Sequence, residues 1–103
     1  MSDEHKTYKI HLNDGAKLML LEHVRFLSEI SESAAQKLRD KLYDGCTSLC
    51  IMPHRCPKFH TYRVDDIYRK LIIGRYQLVF SVDDEKNTVN IKYILDSRQS
   101  NDI

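Results

Sequence analysis

The chain has 103 residues, with 42% hydrophobic and 30% charged side chains, and its 16 basic and 15 acidic residues leave a net charge of +1. That length holds one domain and one core, expected to span residues 1–103 with loose ends at 1–6 and 99–103. Near-neutrality excludes a molecule that is basic overall. The absence of a long apolar run or a charged-then-apolar leader argues against a membrane protein or an exported one, so a soluble cytoplasmic protein is expected.

Tyr8, Ile10 and Leu12 alternate with Lys9 and His11, which predicts a first strand over Tyr8–Leu12. Asn13-Asp14-Gly15 then supplies helix-capping chemistry. Ala16, Leu20, Val24, Leu27 and Ile30 recur every three or four residues, as one face of a helix does. Ser31 or Ser33 can cap a second helix, with a stripe of Ala35, Leu38, Leu42, Cys46 and Leu49. Gly45 weakens that helix by roughly 1 kcal/mol relative to alanine, and Pro53 ends it.

Met52–Val64 has no period and reads as a surface loop. Two alternating segments, Ile67–Ile73 and Arg75–Val82, meet at Gly74, and a third, Thr88–Leu95, follows the turn Asp83–Asn87. Tyr76, Leu78, Phe80 and Val82 should share one side of their strand. Strict alternation puts Val89, Ile91, Tyr93 and Leu95 together on the core side of theirs. The fold class expected is α+β, in the order β-α-α-β-β-β, with a helical hairpin packed on an antiparallel sheet. The face away from the helices would then present Val79 and Ile94 beside charges, an apolar patch suited to a partner.

Charge is uneven along the chain. Between Met52 and Val82 six bases (Arg55, Lys58, Arg63, Arg69, Lys70, Arg75) face two acids (Asp65, Asp66). Guanidinium groups grip phosphate bidentately and can stabilise a pentacovalent phosphorus. Tyr62, Tyr68, Tyr76 and Tyr93 are available to stack on bases. The plain alternative is a solvated sheet face whose long side chains cover apolar surface.

His54, His60 and Asp96 are candidate acid–base groups, whereas His5, His11 and His23 read as surface residues. Cys46, Cys50, His54, Cys56 and His60 offer five potential zinc ligands within fifteen residues, but their spacing fits no common finger. A buried thiol on the apolar stripe is the competing account of Cys46.

Tyr68-Arg69-Lys70-Leu71-Ile72-Ile73-Gly74-Arg75-Tyr76-Gln77-Leu78-Val79-Phe80, then Val89–Ile94, then Asp96-Ser97-Arg98, together resemble the RelE/ParE superfamily of toxins. These belong to type II toxin–antitoxin, or plasmid-stabilisation, modules. The resemblance runs from about Tyr8 to Arg98. It implies a growth-inhibiting toxin neutralised by a cognate antitoxin.

RelE-like members are mRNA interferases: RNA-binding, ribosome-dependent endoribonucleases that need no metal or other cofactor. On that model Arg98, Lys70 and Arg75 hold phosphate, with His60 or Asp96 as base. Arg63, Arg69, Gln77 and Tyr76 would touch nucleic acid or partner. The family's arginine two positions into the strand after the glycine turn is here Gln77, which carries no charge, and Gln99–Ile103 has no aromatic to match a catalytic tyrosine. The alternatives are a ParE-like inhibitor of DNA gyrase, which shares the fold without the enzyme, and an inactive toxin-like binding module.

Overall fold

The computed structural model describes residues 6–59 and 67–97. Strand β1 (Lys9–Leu12) leads into helix α1 (Asp14–Ser28), and helix α2 (Glu32–Ser48) follows. A short 3-10 turn at Pro53–Arg55 precedes β2 (Arg69–Ile73), β3 (Tyr76–Asp83) and β4 (Thr88–Asp96). Each helix opens on a side-chain cap. The Ala16 N–H donates to Asn13 Oδ1 at 2.8 Å, and the Ala34 N–H to Ser31 Oγ at 3.1 Å.

The last three strands form the expected antiparallel meander, in a sheet of order β1-β4-β3-β2. The whole sheet is mixed, because β1 lies parallel to β4. The helical hairpin explains this. Helix α1 passes the far end of β4, where His23 reaches the Ile94 carbonyl. Helix α2 then returns to the start of β1, where the Tyr8 N–H donates to the Cys50 carbonyl at 2.8 Å. The chain therefore leaves for β2 from the end at which β1 began.

The core lies between the helices and one sheet face. It holds Leu38, Leu42, Cys46 and Leu49 of the predicted α2 stripe, with Tyr76, Leu78, Phe80, Val89, Ile91 and Ile94 of the sheet. Helix α1 presents Leu20, Val24 and Leu27 as its spacing predicts. Ile30 falls beyond the last turn of α1 and is 71% exposed, so it leaves the stripe.

Alternation fails in β4. Val79 pairs with Tyr93 but Phe80 pairs with Ile91, so Lys92 is an extra residue, a β-bulge. Past it the facing of every side chain is inverted. Ile94 is fully buried in the core, while Tyr93 and Leu95 sit half-buried on the opposite face. Val79 is also fully buried. The patch expected from Val79 and Ile94 is therefore absent.

Gly45 has a packing role that outweighs its helix propensity. A Cβ there would overlap Ile73 Cδ1 and lie 3.2 Å from Ile73 Cγ1. Gly45→Ala gains about 1 kcal/mol of propensity but overpacks at a cost of about 1–3 kcal/mol. We expect the single variant to be neutral to destabilised. Gly45→Ala with Ile73→Val, which removes the overlapping methyl, should be more stable than either change summed. Urea unfolding of the three variants measures this coupling.

Candidate functional site

Two places on the sheet gather chemistry. The first is the face away from the helices. Leu71 and Ile73 pack on the core, so Lys70 and Ile72 of β2 point the other way. Lys70 lies opposite Val79, which lies opposite Tyr93, and the next row is Ile72, Gln77 and Leu95. The bulged Lys92 holds its ammonium 5.6 Å from the Tyr68 ring centre and 5.8 Å from that of Tyr93. Hydrogen bonding to Tyr68, then the electrostatics of Tyr68 and Tyr93, push the Lys92 pKa up. His11 of β1 is exposed and lies opposite Asn90, which lies opposite Ser81. The result is a polar, cationic and aromatic face with a neutral Gln77 in its second row.

The second is a cavity of about 310 Å³ between α1 and the β2–β3 turn. It is lined by Glu22, His23, Phe26, Leu27, Arg75, Tyr76 and Asp96. Gly74 has φ +59°, and as the only left-handed position in this two-residue turn it fits type II′ geometry. The turn sets Arg75 beside the Tyr76 ring, guanidinium carbon 5.8 Å from its centre. His23 Nε2 is 2.8 Å from the Ile94 carbonyl, so that nitrogen carries the proton and donates. The His23 ring meets Tyr76 edge-on at 5.1 Å. Asp96 is a buried carboxylate, 6% exposed.

This geometry divides the residues singled out in the sequence. Arg75, Tyr76 and Asp96 come together at the cavity, joined by Glu22 and His23 of α1. Lys70 and Gln77 belong to the other face. Arg69 is tied into the fold, donating from Nη1 to the Cys56 carbonyl at 2.7 Å and the His54 carbonyl at 3.3 Å. His60, Arg63 and Arg98 lie outside the described residues.

His23, read from sequence as a surface residue, is half-buried and held by a backbone carbonyl from the other end of the chain. Only the fold could reveal it, since no local spacing links residues 23 and 94.

The described members of the cysteine–histidine set, Cys46, Cys50, His54 and Cys56, are not gathered into a metal site. Among the described residues no three His, Cys, Asp or Glu side chains converge as metal ligands. Cys46 is buried in the α2 stripe, and burial pushes its thiol up to about 11, so it is protonated at neutral pH. Burial also raises the Cys56 thiol, against the opposing charges of Arg55 and Arg69.

His54 instead joins a clasp on the β3–β4 turn. Its Nε2 lies 3.1 Å from Asp84 Oδ2, and the Tyr8 hydroxyl donates to Asp84 Oδ1 at 2.5 Å. Lys6 stands 3.8 Å from the same carboxylate. The Tyr8 hydrogen bond, then the charge and hydrogen bond of His54 and the charge of Lys6, hold the Asp84 carboxyl below the usual carboxylate value.

A depressed folded-state pKa means the clasp stabilises at pH values above the ordinary aspartate range. That contribution disappears as pH falls through and below it. Thermal unfolding of the wild type and Asp84→Asn at pH 6 and pH 3 should therefore show a smaller acid loss in the variant. Equal losses would contradict the clasp.

Among the described residues no helix is long and apolar enough to cross a membrane. No curated protein sequence matches this chain significantly.

Two layers, a helical hairpin on a mixed four-stranded sheet, are shared with a chain of the toxin–antitoxin complex RelBE2 from Mycobacterium tuberculosis. The TM-score is 0.61 at 21% identity, over 92% of this chain and 97% of that one. The fold is therefore that of the RelE/ParE toxins. The family described as ParE toxin of type II toxin–antitoxin system, parDE, matches residues 10–101, nearly the whole chain. This protein belongs to that family and is a type II toxin of the RelE/ParE superfamily.

Proposed function

We propose that this toxin acts by binding DNA gyrase, in the ParE-like manner, and does not cut RNA. The observation that carries this reading is the separation of the cations expected to serve one phosphate. Lys70 belongs to the outer sheet face, whereas Arg75 lines the cavity under α1. Metal-free cleavage of a phosphodiester needs its cations and its base within hydrogen-bond reach of one group. Gln77 adds no charge where the ribonuclease pattern has an arginine. The match to the ParE toxin family supports the same reading.

A cognate antitoxin is the expected partner, as in the complex of the structural neighbour. Large apolar side chains at Leu18, Leu21 and Phe26 of α1 and Ile72 of β2 are exposed and available to such a chain. Purified toxin in a gyrase supercoiling assay tests the proposal. Inhibition at micromolar protein, relieved by the antitoxin encoded beside it, is expected. Full supercoiling at that concentration would rule the reading out.

The ribosome-dependent mRNA endonuclease is the second reading. It is favoured by Lys70, Lys92, Tyr68 and Tyr93 on and beside one sheet face, a stacking and phosphate-binding surface. On this reading Arg98 and His60 complete the site.

A further inference from the structure

We infer that the cavity between α1 and the β2–β3 turn is a binding site for a guanine base. Its volume of about 310 Å³ equals that of about ten liquid waters, enough for a purine ring system.

The lining selects the ligand. A purely apolar occupant would strip water from Arg75 and the carboxylates without replacing it. A simple anion meets Glu22 and Asp96, and a simple cation meets Arg75. What fits is a flat molecule with apolar faces, donors on one edge and acceptors on another. Guanine has this pattern. O6 and N7 accept from a guanidinium, the commonest specific contact to that base. The N1–H and the 2-amino group donate to a carboxylate, and a carboxylate can accept such bonds beside those it already makes. Adenine, cytosine and uracil lack the paired donors.

The groups are also held in place. Arg75 rests against Tyr76, Tyr76 is buttressed by the edge of His23, and His23 is fixed by the Ile94 carbonyl. Phe26 lines the cavity and is 64% exposed, leaving ring surface for stacking. A second depression, of about 270 Å³, shares Glu22 and Phe26 and adds Arg25 and Glu29. There the ribose hydroxyls of a guanine nucleotide would donate to Glu29 or accept from Arg25, with the phosphate directed into solvent away from the two carboxylates. The inference stands whether the toxin acts on gyrase or on mRNA, since it rests on the cavity alone.

The test is titration of the full chain with GMP, IMP, AMP and CMP, followed by amide-resolved NMR and calorimetry. GMP should shift the signals of residues 22–27 and 75–76 and bind at least about tenfold tighter than AMP or CMP. IMP, lacking the 2-amino group, should lose about tenfold. Glu22→Gln and Arg75→Gln should each weaken GMP by a similar factor while the rest of the spectrum is unchanged.

A single-stranded RNA with one central guanine tells the source. Binding far tighter than GMP assigns the site to a base within a strand, and equal binding assigns it to a free nucleotide. No shift at millimolar GMP, equal affinity for all four nucleotides, or shifts mapping elsewhere would overturn the inference.

Discussion

Deletion of Asn90 is expected to destabilise the fold by at least about 3 kcal/mol, whereas deletion of Lys92 should cost far less. Lys92 is the extra residue opposite the Val79–Phe80 junction. Removing it leaves Ile91 opposite Phe80 and Tyr93 opposite Val79, so the remaining pairs and their facing are kept. Removing Asn90, which lies opposite Ser81, allows no such repair. If the bulge stays, Val89 moves opposite Ser81 and out of the core. If the strand absorbs the bulge, Ile91 turns outward and Lys92 inward. Either outcome exposes a fully buried aliphatic side chain, worth about 1.5–3 kcal/mol of burial, and also turns Thr88 or the Lys92 ammonium toward the core. The total is a large share of a typical domain's stability of about 5–15 kcal/mol. Urea unfolding of the two deletions measures the difference. Equal midpoints would mean that Lys92 is not the bulged residue.

Phe80→Ala comes next. Phe80 is a large, fully buried side chain on β3, paired with Ile91 and Arg69 at the bulge and packed in the core. Truncation leaves a cavity bounded by two strands that cannot collapse without breaking their pairing. The expected cost is about 3–5 kcal/mol. Tyr43→Ala, at an exposed site on α2, should stay within about 0.5 kcal/mol. Denaturant unfolding of the pair separates the two. A Phe80→Ala penalty no larger than that of Tyr43→Ala would contradict the core described above.

The bulge shows where sequence reading stops. Tyr76, Leu78 and Phe80 alternate without interruption, and the structure buries them as their period predicts. In Thr88–Leu95 the hydrophobic residues run too densely for the period to mark an insertion. Ile91, Tyr93, Ile94 and Leu95 satisfy either phase, and only pairing with β3 decides between them. The helices were legible because the spacing of Leu38, Leu42, Cys46 and Leu49 admits one face. The parallel placement of β1 was not, since it depends on where the helical hairpin returns the chain.

The sites follow the same logic. Arg75, Tyr76 and Asp96 stood out in the sequence as residue types, but Glu22 and His23 joined them only through the packing of α1 on β4. Lys70 and Arg75, five residues apart, read as one basic set. A strand's two faces and a tight turn separate them.

Primer-extension mapping of a reporter mRNA in a reconstituted translation system, with and without the toxin, tests most directly whether this protein binds its target or cuts RNA. The divided cations and the neutral Gln77 predict intact message, with the toxin's effect appearing only where gyrase is present. Discrete cuts within codons, dependent on ribosomes and abolished by Arg98→Ala, would contradict that account and establish the nuclease.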